Sequence, residues 1–240
     1  MKEEELYQMI NEKERGLNMS IAFPALMRKV FLWMTLALII TAVTAYGVAT
    51  SPALITAIFT NKILFWGLII AEFALVFGVT AAINRLSLAS ATLLFILYSI
   101  VNGAMLSVIF YAFSMTVIVK TFAVTAGTFG VMALIGYTTK KDLTSIGKLL
   151  FMALIGLMIA TVVNIFVRSS GFDLIVSYIG VIIFVGLTAW DTQKIKLMLS
   201  QAPDTSESYQ KMALMGALSL YLDFINLFLY LLRIFGNNRN

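Results

Sequence analysis

Seven apolar stretches, at 30–50, 63–83, 88–110, 117–137, 149–167, 174–190 and 212–232, alternate with short segments that collect most of the charged residues. A helix rises about 1.5 Å per residue, so each stretch is near the length that crosses about 30 Å of hydrocarbon. None alternates with the period of two that marks an outer-membrane barrel strand. The pattern predicts an all-α membrane protein, a seven-transmembrane helical bundle. Residues 1–29 are polar and charged. They lack the short apolar core and small-residue cleavage site of a signal peptide, so no removable targeting segment is expected. Pro24 and the Arg28-Lys29 pair mark the point where the chain meets the bilayer. The expected division is an N-terminal tail or interfacial helix over 1–29, a membrane domain over 30–236 and a short tail over 237–240. Small residues inside the stretches, as in AVTAGTFGVMALIGY (123–137), are read as points where helices approach closely.

Composition narrows the chemistry. Hydrophobic residues make up 60% of the 240 positions and charged residues 12%, with a mean hydropathy of +0.94, which rules out a water-soluble fold. Cysteine and histidine are both absent, removing disulfides, thiolate nucleophiles, imidazole bases and zinc sites built on Cys or His. The HExxH, P-loop, GxGxxG and GxGD patterns are missing, and no lysine lies within the last stretch where retinal could attach. Neither enzymatic chemistry nor a bound cofactor is expected.

The net charge of +5 resides mainly in the loops. With seven spans, twelve Lys and Arg residues fall on the side of the N-terminus, while Lys62, Lys120, Arg168, Arg233 and Arg239 fall on the other. Cationic loops stay on the cytoplasmic side, so the N-terminus is predicted to be cytoplasmic. Arg233 and Arg239 test this reading, since a last helix that failed to cross would return them inward. The charge therefore reports orientation rather than nucleic-acid binding. The 18 Phe, 9 Tyr and 3 Trp read as core, lipid-facing or interfacial-belt residues, with lipid as the natural partner.

Three acids interrupt or border the apolar stretches: Glu72 in GLIIAEFALVFG, Asp191 in VGLTAWDTQKI and Asp223 in LSLYLDFINLFLYLL. A carboxylate in the bilayer costs about 2.5 to 3.5 kcal/mol on insertion scales, and such residues usually face a bundle interior, a partner or a water-filled path. At 100° per residue Ser219, Asp223, Asn226, Tyr230 and Arg233 fall within an arc of about 80°. That stripe predicts a last helix at the centre of the bundle. Glu72 and Arg85 are thirteen residues apart, roughly 20 Å along one helix, so Arg85 is paired in expectation with Asp191, at the same end of the bundle. Without histidine, a switch near neutral pH needs a carboxyl displaced from its usual range by burial or by a second carboxylate. Two carboxylates could also bind Ca²⁺, weakly, because that ion prefers six to eight oxygens.

The stretches GYTTKKDLTSIGKLLFMALIGLMIATVVNIF (136–166), SYIGVIIFVGLTAWDTQKIK (177–196) and LSLYLDFINLFLYLLRIFG (218–236) resemble the Bax inhibitor-1 family, the transmembrane Bax inhibitor motif proteins, in a bacterial form. The resemblance runs from about Pro24 to Gly236. It implies six helices around a central seventh and a pH-sensitive calcium leak in a bacterial inner membrane. Carried over, Asp191 of TAWDTQ and Asp223 of LDFIN match the family's pH-sensing, ion-binding aspartate pair. Arg85 matches its latch arginine, and Glu72 loosely matches an acidic position in the second helix. The resemblance also implies an interaction role, since bacterial members restrain a membrane-embedded quality-control protease and eukaryotic members suppress cell death. One geometric question stays open. Asp191 is three residues from Lys194, whereas Asp223 is twelve from Lys211. The pair can meet only if helix six runs on past Lys194 or helix seven begins well outside the bilayer.

Overall fold

The computed structural model describes the backbone of residues 3–167 and 169–237. Lys2, Arg168 and Arg239 of the charge count, and most of the expected 237–240 tail, lie outside the described residues. The helices are α1 (Glu3–Ala49), α2 (Pro52–Thr60), α3 (Lys62–Ala82), α4 (Leu88–Leu106), α5 (Ile109–Ala112), α6 (Met115–Thr138), α7 (Thr144–Val167), α8 (Ser170–Ser200) and α9 (Glu207–Asn237). Seven are long and apolar enough to cross a membrane, counting α4 and α5 as one span, Leu88–Ala112.

Several boundaries differ from the hydropathy reading. Pro24 lies inside α1, although proline removes one backbone hydrogen bond from a helix. Ala22 and Leu26 on either side of it are already buried, so packing holds the helix through the proline and the bundle begins ahead of residue 30. Helix α2 was hidden in the loop between the first two stretches. Its signal is Ser51-Pro52, with proline in the first turn, where its missing N–H is not needed. The third stretch is broken at Ser107, whose hydroxyl donates to the Ala104 carbonyl at 2.6 Å. Helix α8 runs ten residues beyond Trp190, and α9 starts at Glu207, ahead of the expected 212. The first way of bringing the aspartates together, a helix six that runs on past Lys194, is therefore realised.

Helix α9 is the centre: 67% of its spanning window is buried, against at most 44% for any other span. Its neighbours are α8, α1, α6 and α4, while α3 rests mainly on α4 and α7 on α8. The expected ring of six is thus an inner layer of four with two helices outside it. The outer pair show the lipid most apolar surface, Ile63 and Phe166 among the most exposed side chains. Around α9, Phe224 packs on Phe129 at 5.4 Å and Phe122 at 5.5 Å between ring centres, and Tyr221 meets Phe95 and Tyr98 edge-on. In hydrocarbon such contacts act through dispersion rather than water exclusion.

Small residues set the close approaches, though not at every expected position. Gly136 of α6 lies against the Ala189 backbone of α8, and Gly103 of α4 against Thr41 of α1, while Gly127 and Gly130 face open space. Two loops at the Arg85 end are closed by Asx turns. Asp142 accepts from the Thr144 N–H at 2.8 Å and Asp204 from the Ser206 N–H at 2.9 Å. Hydrogen bonds from Thr144, and from Ser206 in the second case, hold both carboxyls below the usual aspartate range.

A Cβ at position 136 would strike the Ala189 carbonyl, backbone that cannot rotate away. Gly136→Ala is expected to destabilise the bundle by about 1 to 3 kcal/mol, the usual scale of overpacking, and Gly127→Ala to be neutral. Thermal unfolding in mild detergent reads the difference, and equal midpoints for the two variants would show that α6 and α8 do not meet here.

Candidate functional site

Helices α8 and α9 run antiparallel on either side of the 201–206 loop. Two glycines fix their register. Ile195 of α8 packs over Gly216, and Tyr230 of α9 packs over Gly180. In that register Asp191 lies level with Leu220, and Asp223 sits three residues, about 4.5 Å, further along α9. The sequence-predicted pair is therefore brought together, with Asp191 the charged group that acts on Asp223. Asp223 is 5% exposed, and its Oδ2 has no hydrogen-bond partner among the described residues.

Asp191 opens onto a vestibule of about 410 Å³ between the Arg85 ends of α3, α8 and α9, lined also by Asn84, Lys194, Ser208, Lys211 and Ser219. The two lysines are held against its walls. Lys194 Nζ lies 5.2 Å from the centre of the Trp190 ring, and Lys211 donates to the Leu86 carbonyl at 3.0 Å. The cation acting on Asp191 is Lys194. Arg85 is exposed in the turn that follows α3. No ion pair joins it to either aspartate among the described residues, so the expected Arg85–Asp191 contact is not made in this structure.

The rest of the polar stripe follows the same seam. Asn226 donates to the Leu222 carbonyl of its own helix at 2.8 Å. Tyr230 stacks on Phe184 of α8 with ring centres 5.8 Å apart. At the far end Arg233 lies over the Tyr230 ring, and its Nη1 is 3.9 Å from Asp173 Oδ1 in the first turn of α8. The stripe has the aspartate pair toward one end and an ion pair at the other. Among the described residues no three acidic side chains cluster, so a cation at the pair meets at most two carboxylates.

Glu72 belongs to a different site. Its Oε1 accepts from Asn102 Nδ2 at 3.1 Å, and the same amide approaches the Tyr98 hydroxyl at 3.4 Å. Nearby, the Tyr221 and Thr41 hydroxyls share a hydrogen bond of 2.7 Å, and Thr41 donates to the Ser99 carbonyl. Asn102 Oδ1 is buried with no hydrogen-bond partner among the described residues. Asn102, Tyr98, Tyr221 and Thr41 carry no charge and were not singled out in the sequence. The available signal was a carboxamide inside an apolar run, LYSIVNGAML, since buried amides require partners. Gln193 was likewise missed. Its Nε2 donates to the Lys141 carbonyl and its Oε1 accepts from the Leu143 N–H, both at 2.8 Å, tying the α6–α7 loop to the turn of α8 that carries Asp191.

A family model described as "Inhibitor of apoptosis-promoting Bax1" matches residues 24–240. The chain is 52% identical over 215 residues to the inner membrane protein YbhL of Escherichia coli K12, covering 89% of this chain and 92% of that one. It is 47% identical over 212 residues to an uncharacterized protein of Borreliella burgdorferi, covering 88% and 91%. Identity to an uncharacterized membrane protein of Streptococcus pyogenes serotype M1 is 39% over 185 residues, 77% of this chain and 80% of the other. With seven membrane-length helices around a central α9 and matches of this extent, the chain belongs to the Bax inhibitor-1 family.

Proposed function

We propose that this protein is a pH-sensitive calcium leak of a bacterial inner membrane, its N-terminus cytoplasmic, with Asp191 and Asp223 as proton sensor and ion site. The observation that carries the reading is the Asp223 carboxyl. It is buried, one of its oxygens has no hydrogen-bond partner among the described residues, and it lies about one helical turn from Asp191, whose vestibule opens toward the Arg85 end. A carboxyl used only to join helices would spend its oxygens on donors from its neighbours. Two carboxylates that interact give up protons in coupled steps that belong to the pair, and Ca²⁺ competes with those protons as permeant substrate rather than resident cofactor. Arg85 follows Asn84 of the vestibule wall and acts in this reading as a latch that swings toward the pair. The reading assigns the chain transport rather than catalysis.

A second reading is favoured by α1, which begins at Glu3, well ahead of the apolar stretch that starts at residue 30. The charged segment 3–20 extends the helix by about 27 Å, in keeping with a docking element for a membrane-embedded protease. The two roles are compatible.

Asp223→Asn keeps the shape of the carboxyl and removes its titration, so calcium flux into liposomes containing only the variant is expected to lose its dependence on pH; an unaltered pH profile in folded protein would exclude Asp223 as the sensor. Apparent Ca²⁺ affinity is expected to weaken on acidification, because each proton bound to the pair removes a charge that attracts the ion. An affinity that stays flat between about pH 5 and pH 8, where no histidine can titrate in its place, would defeat the coupled-pair mechanism. Arg85→Ala is expected to raise leak near neutral pH, and leak at or below the wild-type level would count against a latch. Deleting residues 2–20 is expected to spare flux in liposomes while reducing co-purification of a cellular partner; undiminished co-purification would show that docking lies elsewhere.

A further inference from the structure

We propose that the seam between α1 and α6 holds one anionic phospholipid, with its headgroup at Arg28 and an acyl chain laid along the cleft toward Met34. Both helices lean on α9 yet make little contact with each other. Two apolar clefts open along their seam, one of about 510 Å³ near Arg28 and one of about 350 Å³ near Tyr46.

The walls of the first cleft are Met27, Phe31 and Met34 of α1 and Phe129, Gly130 and Leu134 of α6. Gly130 opens it, since a Cβ at that position would meet nothing within 4 Å. From Arg28 to Met34 the cleft follows six residues, about 9 Å, which lies within the depth of one leaflet of a hydrocarbon core about 30 Å thick. Its innermost wall, Phe129, packs edge-on against Phe224, the residue after Asp223.

Charge selects the occupant. Arg28 is exposed at the rim, and no carboxylate lies within ion-pairing distance of it among the described side chains. Beside it Tyr137 carries Lys196, whose Nζ donates to the Tyr137 carbonyl at 2.7 Å and lies 5.6 Å from the centre of its ring. Phe23 stacks on the same ring. A rim of cations and aromatic rings at a helix-pair opening is the arrangement that recruits anionic headgroups at the interface. The second cleft is more apolar still and has no Lys or Arg in its lining. An acyl chain alone would not distinguish the two, whereas an anionic lipid is held only at the first.

The test is native mass spectrometry of delipidated protein titrated with phosphatidylglycerol or with phosphatidylethanolamine of the same chains. Wild type is expected to retain one phosphatidylglycerol and to hold phosphatidylethanolamine at least tenfold more weakly. Gly130→Leu, which places a side chain in the cleft, is expected to weaken phosphatidylglycerol retention at least tenfold without lowering the unfolding midpoint. Arg28→Gln, at an exposed position, is expected to abolish the preference between the two lipids. Equal retention of both lipids by wild type, or undiminished phosphatidylglycerol retention by folded Gly130→Leu, would overturn the proposal, as would an unchanged lipid preference in Arg28→Gln. None of these readouts depends on ion flux, so the lipid site and the leak stand or fall separately.

Discussion

An aspartate at the middle of a membrane bundle has to be surrounded, because hydrocarbon offers its carboxyl neither water nor a donor. On insertion scales the exposed alternative costs about 2.5 to 3.5 kcal/mol. Helix α9 meets this constraint by running through the centre of the molecule with Asp223 turned toward α8. The opposite side of α9 presents Tyr221, whose hydroxyl is bound by Thr41 of α1, so neighbours are needed there as well. A helix with polar groups on two sides cannot lie at the periphery. The layering follows, with α1, α4, α6 and α8 against α9 and the more uniformly apolar α3 and α7 outside.

Close packing around α9 depends on missing side chains at chosen points. Gly216 and Gly180 let α8 and α9 approach in the register that sets the aspartates one turn apart, and Gly136 brings α6 against α8 at Ala189, two residues before Asp191. Gln193 then fixes the next turn to the α6–α7 loop. Asp191 is thus held on both sides by backbone, whereas the α1–α6 seam, with Gly130 facing open space, is left loose. The same residue type does opposite things in the two places, closing one helix pair and opening another.

This contrast also explains what was legible in the sequence. Hydropathy located the seven spans, and the angular arrangement of Ser219, Asp223, Asn226, Tyr230 and Arg233 located the central helix, because helical periodicity needs no knowledge of neighbours. The extension of α8 to Ser200 was one of two open alternatives, since KIKLMLS (194–200) looks helical but carries two lysines, which the structure lays against the Trp190 and Tyr137 rings. Arg85 was assigned to Asp191 because both fall at the same end of the bundle. Depth along the membrane is readable from sequence, but the direction of a side chain is not, and Lys194 lies nearer along the helix. The Glu72 site was half legible: the acid stood out, while Asn102 and Tyr98 became visible only when α3 and α4 were placed side by side.

For a leak along the α8–α9 seam, the two ends present different obstacles. At the Arg85 end the vestibule carries Lys194 and Lys211 beside Asp191, and these ammonium groups would repel a cation if they turned inward. They are instead engaged by Trp190 and by the Leu86 carbonyl, which leaves Asp191 as the group that faces the space. At the other end Tyr230 covers Gly180 and Arg233 reaches Asp173, so the seam is closed by a ring and an ion pair rather than by the aspartates. Protonating Asp191 or Asp223 would change their charge without moving Tyr230. In the proposed reading a change of charge at the aspartates is therefore not sufficient by itself, and opening this end also requires the Tyr230 ring and the Arg233–Asp173 pair to move. At the aspartates themselves, Asp223 Oδ2 accepts no hydrogen bond from α8 among the described residues, so that atom does not tie the two helices together.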